Sequence, residues 1–265
     1  MVTVSARRTG KASQLPFVLI PPMPCDSGIF ECMLAYMPDV DVIVVDPPTL
    51  EEGAEGSDGN EASIEAYVYA LRDALRAMDV DRVCIGGVSI GGVVAAKWAE
   101  LFPQSTHGLA IMGANMREVN AAEKKQRCDL IERARRDGVY EVVRHWSSSL
   151  TSSHIGEDAR IFLDESFSRA STDSFVWLQE AYSKRKNVHT FCREYTGSIL
   201  LVRGVDDPHC ERSDFEQVRL KAGVHRTRIV QIAQAGHFAL VEKPEPCGML
   251  LQHYWKQLIS TNEVE

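Results

Sequence analysis

The sequence predicts an α/β protein in which helices cover both faces of a mostly parallel central sheet, with a further helical segment inserted into that core. Three observations predict this class. Short apolar, β-branched runs alternate along the chain with stretches of helical periodicity. One of these runs leads through a glycine-rich turn straight into a helix, over residues 83–101. One long segment, residues 115–195, is charged and helical in character and has no strand-like run of comparable strength.

The strands are predicted from apolar runs of three to five residues that end at turn-forming residues. The first run, Phe17 to Ile20, stops at Pro21 and Pro22, since proline has no N–H to donate to a central ladder. The second, Val42 to Val45, ends at Asp46-Pro47-Pro48. The remaining runs are residues 83–85, 109–112, 199–202 and 228–232.

The helices are predicted from apolar residues at helical spacing. Ser63 is a suitable N-cap for a helix whose apolar positions run from Ile64 to Met78. A second helix covers residues 93–101, and Pro244 suits the first turn of a C-terminal helix that reaches Ile259. The acidic, glycine-containing stretch from Glu51 to Ala62 lacks periodicity and is predicted to be a solvated loop.

Composition and charge narrow the class of protein. The 265 residues suit one α/β domain with an insertion, and the net charge of −8 argues against a nucleic-acid partner. No apolar stretch approaches the roughly 20 residues of a membrane span, and the first 16 residues lack the apolar core of a secretory signal. The seven cysteines are scattered, without a CxxC pair. We therefore expect a reduced, cytoplasmic protein without a metal site or cofactor.

The strongest chemical signal is the segment Gly87-Val88-Ser89-Ile90-Gly91, which has the pattern G-x-S-x-G. It follows the strand at residues 83–85 and precedes the helix at residues 93–101. A serine on such a turn is held in strained backbone angles and projects from the sheet edge, and glycines are needed around it because a Cβ would collide with the neighbouring strand or helix. This context predicts a nucleophilic serine.

A serine hydroxyl needs a base to take its proton, and an imidazole base needs a carboxylate to fix its tautomer. Candidates for both follow strands, in the chain order serine, acid, histidine. After the strand at residues 199–202 comes Gly204-Val205-Asp206-Asp207-Pro208, and after the last strand comes Gly236-His237-Phe238. His237 is therefore the candidate base, and either Asp206 or Asp207 is the candidate acid.

These three motifs, together with Glu242-Lys243-Pro244-Glu245 after the histidine, resemble the α/β-hydrolase superfamily in its single-domain, esterase-like branch with a helical cap. The resemblance spans roughly residues 17–259. It implies a core formed by residues 1–114 and 196–265, with residues 115–195 inserted as the cap. It also implies Ser89 as nucleophile, His237 as base and Asp207 as acid, because the family acid commonly lies three residues after the turn glycine and before proline. Asp206 is the second choice.

The resemblance further implies an oxyanion hole formed by the backbone N–H groups of Met23 and Ile90. Many relatives have a glycine where this chain has Pro21-Pro22, so the loop before Met23 departs from the family pattern. Aromatic residues of the cap are expected to line the substrate pocket. The candidates are Trp146 and Trp177 of the cap and Phe238, which follows His237 in the core. The 16 residues before Phe17 leave little room for the two antiparallel strands usual in the family.

The function implied by the resemblance is hydrolysis of a carboxylic ester through an acyl-enzyme. A thioesterase, lactonase or C–C bond hydrolase on the same triad is an alternative, and so is a non-catalytic protein that binds a small ligand. Residues 115–195 hold 14 Lys and Arg against 13 Asp and Glu. The basic residues include Lys124, Lys125, Arg127, Arg133, Arg135, Arg136 and Arg144. We read these as a solvated helix face, or else as a contact for an acyl-carrier protein or a coenzyme A thioester.

Overall fold

The computed structural model describes residues 2–50 and 61–262, and this part of the chain contains nine strands and twelve α-helices. The strands are β1 (Val2–Thr3), β2 (Ala6–Arg8), β3 (Phe17–Ile20), β4 (Val42–Val45), β5 (Thr49–Leu50), β6 (Val83–Val88), β7 (Thr106–Met112), β8 (Ser198–Gly204) and β9 (Thr227–Ile232). The helices are α1 (Glu31–Leu34), α2 (Ile64–Arg76), α3 (Ile90–Leu101), α4 (Ala121–Asp137), α5 (Val139–Val143), α6 (Trp146–Ser149), α7 (Glu157–Ser168), α8 (Thr172–Lys184), α9 (Phe191–Glu194), α10 (Arg212–Ala222), α11 (Ala239–Glu242) and α12 (Pro244–Asn262).

The central sheet has seven strands in the order β2-β4-β3-β6-β7-β8-β9. All neighbouring pairs are parallel except β2 with β4, which is antiparallel. The predicted α/β class is therefore confirmed, and six of these strands are those expected from the apolar runs. The N-terminal segment holds two short strands, of which β2 joins the sheet and β1 pairs with β5 in a separate ribbon. Residues 51–60 of the expected acidic loop lie outside the described residues.

Successive residues of the central strands point to opposite faces of the sheet and enter two separate hydrophobic cores. Val18 and Ile20 of β3 belong to one core, and Phe17 and Leu19 belong to the other. Helices α2, α3 and α10 contribute apolar residues to the first core, whereas α1, α11 and α12 contribute to the second. Because both faces are covered, the strands read as continuous apolar runs in the sequence.

Local signals in the sequence account for the helix boundaries nearest the site. The side chain of Ser63 accepts a hydrogen bond from the Ala66 N–H at 3.0 Å, so Ser63 is the N-cap of α2. Helix α3 begins at Ile90, three residues earlier than the apolar run predicts, because the chain enters the helix directly from the turn at Ser89.

Residues 115–195 separate β7 from β8, and the described secondary structure within them is entirely helical (α4 to α9). Two polar contacts attach this helical insertion to the loops that follow β3 and β4. The guanidinium of Arg169 pairs with Asp26 at 3.0 Å. The hydroxyl of Ser174 donates to the carbonyl of Pro48 at 2.7 Å, in a buried position. The insertion is thus held against the edge of the sheet where the parallel strands end.

Across the described ranges, 2–50 and 61–262, none of the helices has the length and apolar character needed to cross a membrane. All seven cysteines are free thiols, and five of them are buried.

Candidate active site

The turn at Ser89 has the backbone geometry that the sequence pattern predicts. Ser89 has φ 55° and ψ −118°, a positive φ that non-glycine residues rarely adopt. Its N–H donates to the carbonyl of Met112 at 2.8 Å, which fixes the turn to the end of β7. A Cβ on Gly91 would overlap the Ile20 carbonyl, and one on Gly87 would lie 2.7 Å from the Gly92 nitrogen. Only glycine allows so tight a turn between β6 and α3.

His237 and Asp207 form a buried pair at the ends of β9 and β8. The Nδ1 atom of His237 lies 3.0 Å from each carboxylate oxygen of Asp207, and the two residues are 7% and 5% exposed. Burial raises the pKa of Asp207, but the charge and hydrogen bond of His237 and the N–H of His209 outweigh it and leave the pKa below 3.8. Asp207 is therefore ionised near neutral pH, and its contact with Nδ1 leaves Nε2 available for proton transfer.

The two adjacent aspartates occupy different environments. Asp206 is exposed, and one of its carboxylate oxygens accepts a hydrogen bond from the Ser152 hydroxyl at 2.6 Å. Asp207 alone contacts His237, and it also accepts the His209 N–H at 2.8 Å. The geometry therefore favours Asp207 over Asp206 as the partner of the imidazole.

The backbone N–H groups of Ile90 and Met23 are the candidate oxyanion donors. Ile90 is the first residue of α3, and the first N–H groups of a helix have no partner within it. The positive end of the helix dipole adds to the attraction for negative charge at this point. In the loop after β3, the Pro22 carbonyl accepts the Cys25 N–H at 2.9 Å, so the double proline leads into an ordered turn beside Met23.

Ser89, Ile90, Met23 and His237 all line one cavity of about 350 Å³. Core loops and the helical insertion both contribute to its wall. The residues from the insertion are Asn115, Arg117, Glu123, Arg127, Trp146, Leu150, Tyr182 and Arg185. A larger groove of about 630 Å³ lies along β9 and is lined by none of the predicted site residues. The chemistry that the sequence predicts is therefore gathered in the smaller cavity. This arrangement can activate a hydroxyl nucleophile and stabilise a developing oxyanion.

A family model described as "alpha/beta hydrolase fold" matches residues 16–244, which is most of the chain. The chain belongs to the alpha/beta hydrolase fold family. Curated relatives match over a much shorter length. An uncharacterised protein of Mycobacterium tuberculosis is 37% identical over 71 residues, covering 27% of this chain and 21% of the relative. A protein of Mycobacterium bovis matches to the same extent. The aligned part of the chain thus spans about a fifth of the length of these relatives.

Solved structures of hydrolases share the fold over nearly the whole chain. A malate-bound thermophilic esterase from Thermogutta terrifontis has a TM-score of 0.86 and 18% identity, covering 96% of this chain and 93% of its own. A carboxylesterase from Nitrososphaera gargenis has a TM-score of 0.81, 17% identity and coverages of 98% and 96%. An enol-lactonase from Burkholderia xenovorans has a TM-score of 0.82, 12% identity and coverages of 96% and 96%.

The three aromatic residues expected at the pocket of this alpha/beta hydrolase occupy different places. Trp146 lines the cavity. The structure places Trp177 in the first core, with its ring edge-on to Tyr67 at 6.3 Å between centroids. Phe238 is fully buried and packs on Phe167 with centroids 5.5 Å apart. Trp177 and Phe238 do not line the cavity. Their rings pack in the hydrophobic cores behind it.

Two buried charged residues, for which no role was predicted, support the loops that carry His237 and Asp207. The Glu242 carboxylate accepts the N–H groups of Gly236 at 2.9 Å and of Ser152 at 2.7 Å. Burial raises the pKa of Glu242, although these N–H groups act in the opposite direction. The Arg203 guanidinium donates to the carbonyls of Cys210 at 2.7 Å and Val205 at 3.1 Å, which flank Asp207. An arginine inside an otherwise apolar strand was the signal that could have revealed Arg203.

The basic residues of the helical insertion do not form one uniform face. Three arginines of the predicted group have nearby carboxylates: Arg135 pairs with Glu180, Arg136 with Asp137 and Arg144 with Glu141. Arg127 instead turns inward and lines the cavity, where Arg185 joins it. Tyr182 is one of the cap aromatics, which were expected at the pocket as a group. Arg185 was not predicted, since nothing in the periodicity of the insertion separates cavity residues from solvent-facing ones.

Proposed function

We propose that the chain is a serine hydrolase that cleaves a carboxylic ester of a small or medium-sized organic substrate. The observation that carries the proposal is the cavity shared by Ser89 and His237, with the Nδ1 atom of His237 held 3.0 Å from the buried Asp207 carboxylate. Residues 115–195 act as a cap on the core formed by residues 1–114 and 196–265, so that the substrate binds between the two. The hydrolase fold of the structural relatives supports the same reading.

Acylation begins when the Ser89 hydroxyl attacks the ester carbonyl carbon while Nε2 of His237 takes its proton. Asp207 holds the imidazole in the required tautomer and stabilises the imidazolium. The carbonyl oxygen becomes an oxyanion that accepts hydrogen bonds from the N–H groups of Ile90 and Met23. Collapse of this intermediate breaks the C–O bond to the alcohol, which leaves with the proton from His237.

Deacylation repeats the sequence with water as the nucleophile. His237 takes a proton from water as it attacks the acyl carbon on Ser89, and the same two N–H groups stabilise the second oxyanion. The Ser89 oxygen then leaves with that proton, and the carboxylic acid is released. The enzyme returns to its starting protonation state, so neither half-reaction needs a further reactant.

Hydrolysis of 4-nitrophenyl acetate, butyrate and octanoate tests the proposal. We expect wild-type turnover and a loss in kcat of roughly four orders of magnitude or more in Ser89→Ala. Ser168→Ala, in which an exposed serine of α7 is removed, is the matched control and should behave as wild type. Absence of turnover with any acyl substrate, in wild-type protein shown to be folded by circular dichroism, would overturn the assignment.

The alternatives on the same triad differ in the bond cleaved, and the substrate panel separates them. Thioesters, lactones and a β-diketone are added to the esters, and the highest kcat/KM identifies the bond type. Coenzyme A thioesters compared with thioesters of N-acetylcysteamine test a contact with the basic residues of the helical insertion. A non-catalytic binding protein would leave Ser89 unlabelled by a fluorophosphonate probe, whereas the proposed nucleophile should be labelled in wild type and not in Ser89→Ala.

A further inference from the structure

Two arginines of the helical insertion share one aromatic ring in the wall of the catalytic cavity. The guanidinium carbon of Arg127 lies 4.0 Å from the centroid of the Tyr182 ring, and that of Arg185 lies 4.2 Å from it. All three residues line the cavity together with Ser89 and His237. We name these three residues the arginine wall. An aromatic ring attracts a guanidinium to its face and still allows the N–H groups of the guanidinium to form hydrogen bonds.

Neither guanidinium of the arginine wall has a carboxylate within 4.0 Å among residues 2–50 and 61–262. Arg127 donates to the Gln179 side-chain oxygen at 2.6 Å, and Arg185 donates to the Tyr182 hydroxyl at 3.1 Å and to the Arg117 carbonyl. The hydrogen bonds of both guanidiniums thus go to neutral groups. The Nε atoms of both arginines are buried and have no hydrogen-bond partner in the described part of the protein.

The carboxylates that line the same cavity are engaged elsewhere. Glu123 binds the Arg117 guanidinium at 2.9 Å and also caps the start of α4. Asp214 and Glu211 cap the start of α10, where the Asp214 carboxylate accepts the Glu211 N–H at 3.3 Å. These acids satisfy local donors, so no carboxylate of the described residues forms an ion pair with Arg127 or Arg185.

Among the described residues neither positive charge has a carboxylate partner, and burying a charge without one is costly for a protein. Arg185 is only 7% exposed, and Arg127 is half-buried. Burial lowers the pKa of Arg127, and the charge of Arg185 lowers it further, while Tyr182 and Glu123 act in the opposite direction. Arginine side chains in general stay protonated at neutral pH in proteins. A negatively charged ligand in the cavity would supply the missing counter-charge.

We propose that the arginine wall binds a carboxylate carried by the substrate, at a point remote from the scissile carbonyl. This inference rests on the proposed function and specifies its substrate class as carboxylate-bearing esters, such as monoesters of dicarboxylic acids. The planar guanidinium fork matches the geometry of a carboxylate, with two parallel N–H···O bonds. The cavity of about 350 Å³ suits a compact substrate that spans from Ser89 to the wall.

Mono-4-nitrophenyl glutarate and 4-nitrophenyl pentanoate form the test pair, because they share the reacting ester and chain length and differ in the terminal carboxylate. We expect wild type to favour the anionic ester in kcat/KM by roughly 10- to 100-fold, the effect of charge-assisted hydrogen bonds in a partly buried site. Arg127→Gln and Arg185→Gln should bring this ratio close to one. Arg133→Gln, at an exposed position of α4, is the matched control and should keep the wild-type ratio.

Arg185→Lys is the second variant for the buried position, since it keeps the charge but loses the fork. It should retain only part of the preference. Equal kcat/KM for the two esters in active wild type, or a preference that survives both glutamine variants, would overturn the inference while leaving the proposed function standing.

Direct binding separates failure of this inference from failure of the proposed function. If wild type hydrolyses no ester, the proposed function fails. Calorimetry of glutarate binding to Ser89→Ala protein then tests, independently of turnover, whether the arginine wall binds a carboxylate. Glutarate binding that weakens at least 10-fold in the Ser89→Ala, Arg127→Gln double variant supports the site. Lack of glutarate binding, or tighter binding of inorganic phosphate than of glutarate, overturns the assignment to a carboxylate.

Discussion

Asp207 is the buried acid of the acid–imidazole pair with His237, and its ionisation is linked to the stability of the fold. The pKa of Asp207 in the folded protein lies below its ordinary value of 3.8, so the unfolded state binds this proton more readily than the folded state. Ionised Asp207 therefore stabilises the fold fully above about pH 4, and this contribution is lost as the pH falls through the lowered pKa.

We accordingly expect the difference in the free energy of unfolding between wild type and Asp207→Asn to shrink as the pH is lowered from 7 to 3. Urea denaturation of both proteins at several pH values measures this difference. The variant Asp206→Asn, at the exposed neighbouring position, should show no comparable change. A wild-type advantage that stays constant across the range would contradict the linkage.

Glu242 is expected to matter for both stability and turnover, because its carboxylate holds the Gly236 N–H next to His237 and the Ser152 N–H of the helical insertion. Glu242→Ala leaves these two buried donors unpaired, at a cost of about 2–5 kcal/mol in the free energy of unfolding. It should also lower kcat more than it changes KM, since His237 loses its support. Glu242→Gln keeps one acceptor oxygen and should lose less. Urea denaturation and ester kinetics measure both effects, with exposed Glu245→Ala as control.

The sequence predicted site residues that lie in turns directly after strands. It could not predict residues that reach the cavity only through the packing of distant helices. Ser89, Asp207 and His237 each follow a strand directly, so the chain itself determines where they lie. Arg185 reaches the cavity only through the way α8 packs on α4. Trp177 and Phe238 illustrate the reverse case, because large aromatic residues near a site fill the packing layer as readily as the pocket.

The contact between the helical insertion and the His237 loop depends on one glycine. A Cβ at Gly236 would lie 2.5 Å from the Leu150 carbonyl oxygen and 2.8 Å from the Ser152 nitrogen, both backbone atoms of the segment between α6 and α7. The His237 N–H also donates to that same Leu150 carbonyl at 2.7 Å. Because the atoms on both sides of this contact belong to the backbone, they cannot move aside as a flexible side chain could.

Gly236→Ala should therefore displace the insertion from the loop, lowering the free energy of unfolding by about 1–3 kcal/mol. Because the same shift moves His237, kcat should fall by roughly 10- to 100-fold. Gly156→Ala is the control, since it lies in the same insertion with φ −70° and has no atom within 4 Å of an added Cβ. Wild-type kcat in Gly236→Ala would show that the contact does not position the base.

Among the helices and strands, the sequence predicted the central elements well and the edges poorly. Residues 17–20 and 42–45 are buried on both faces, so each appears as a complete apolar run. Strand β2, by contrast, reads Ala6-Arg7-Arg8 and is partly exposed at the sheet edge. Its pairing with β4 comes from backbone hydrogen bonds, which leave no trace in side-chain hydropathy.

The order of elements brings the predicted site together without any single long-range motif. Strands β3, β6, β7, β8 and β9 are parallel, so their carboxyl ends meet at one edge, where their following loops supply Met23, Ser89, Asp207 and His237. The amino-terminal ends of the strands lie away from this site. Substitutions near those ends should therefore lower the free energy of unfolding without changing kcat.

Tyr254 provides the test of that separation. It lies on α12, is 6% exposed, and its hydroxyl accepts the Leu109 N–H at 3.1 Å and donates to the Ser198 carbonyl at 2.7 Å, so it joins the last helix to β7 and β8. The Leu109 donor lies next to the register shift between β6 and β7, where the ladder is irregular. Burial holds the pKa of Tyr254 well above its ordinary value, which keeps the hydroxyl protonated as a donor.

Tyr254→Phe should lower the free energy of unfolding by about 1–3 kcal/mol, because it leaves a buried backbone N–H without its acceptor. Turnover of the 4-nitrophenyl esters should stay within about twofold of wild type, since Tyr254 is not among the residues that line the cavity. Tyr69→Phe, at a ring that is 43% exposed, makes the same chemical change and should leave the urea midpoint unaltered. A Tyr254→Phe protein that is as stable as wild type would mean that the Leu109 N–H finds another acceptor in the irregular ladder. A large fall in kcat would mean that the two ends of the sheet are coupled.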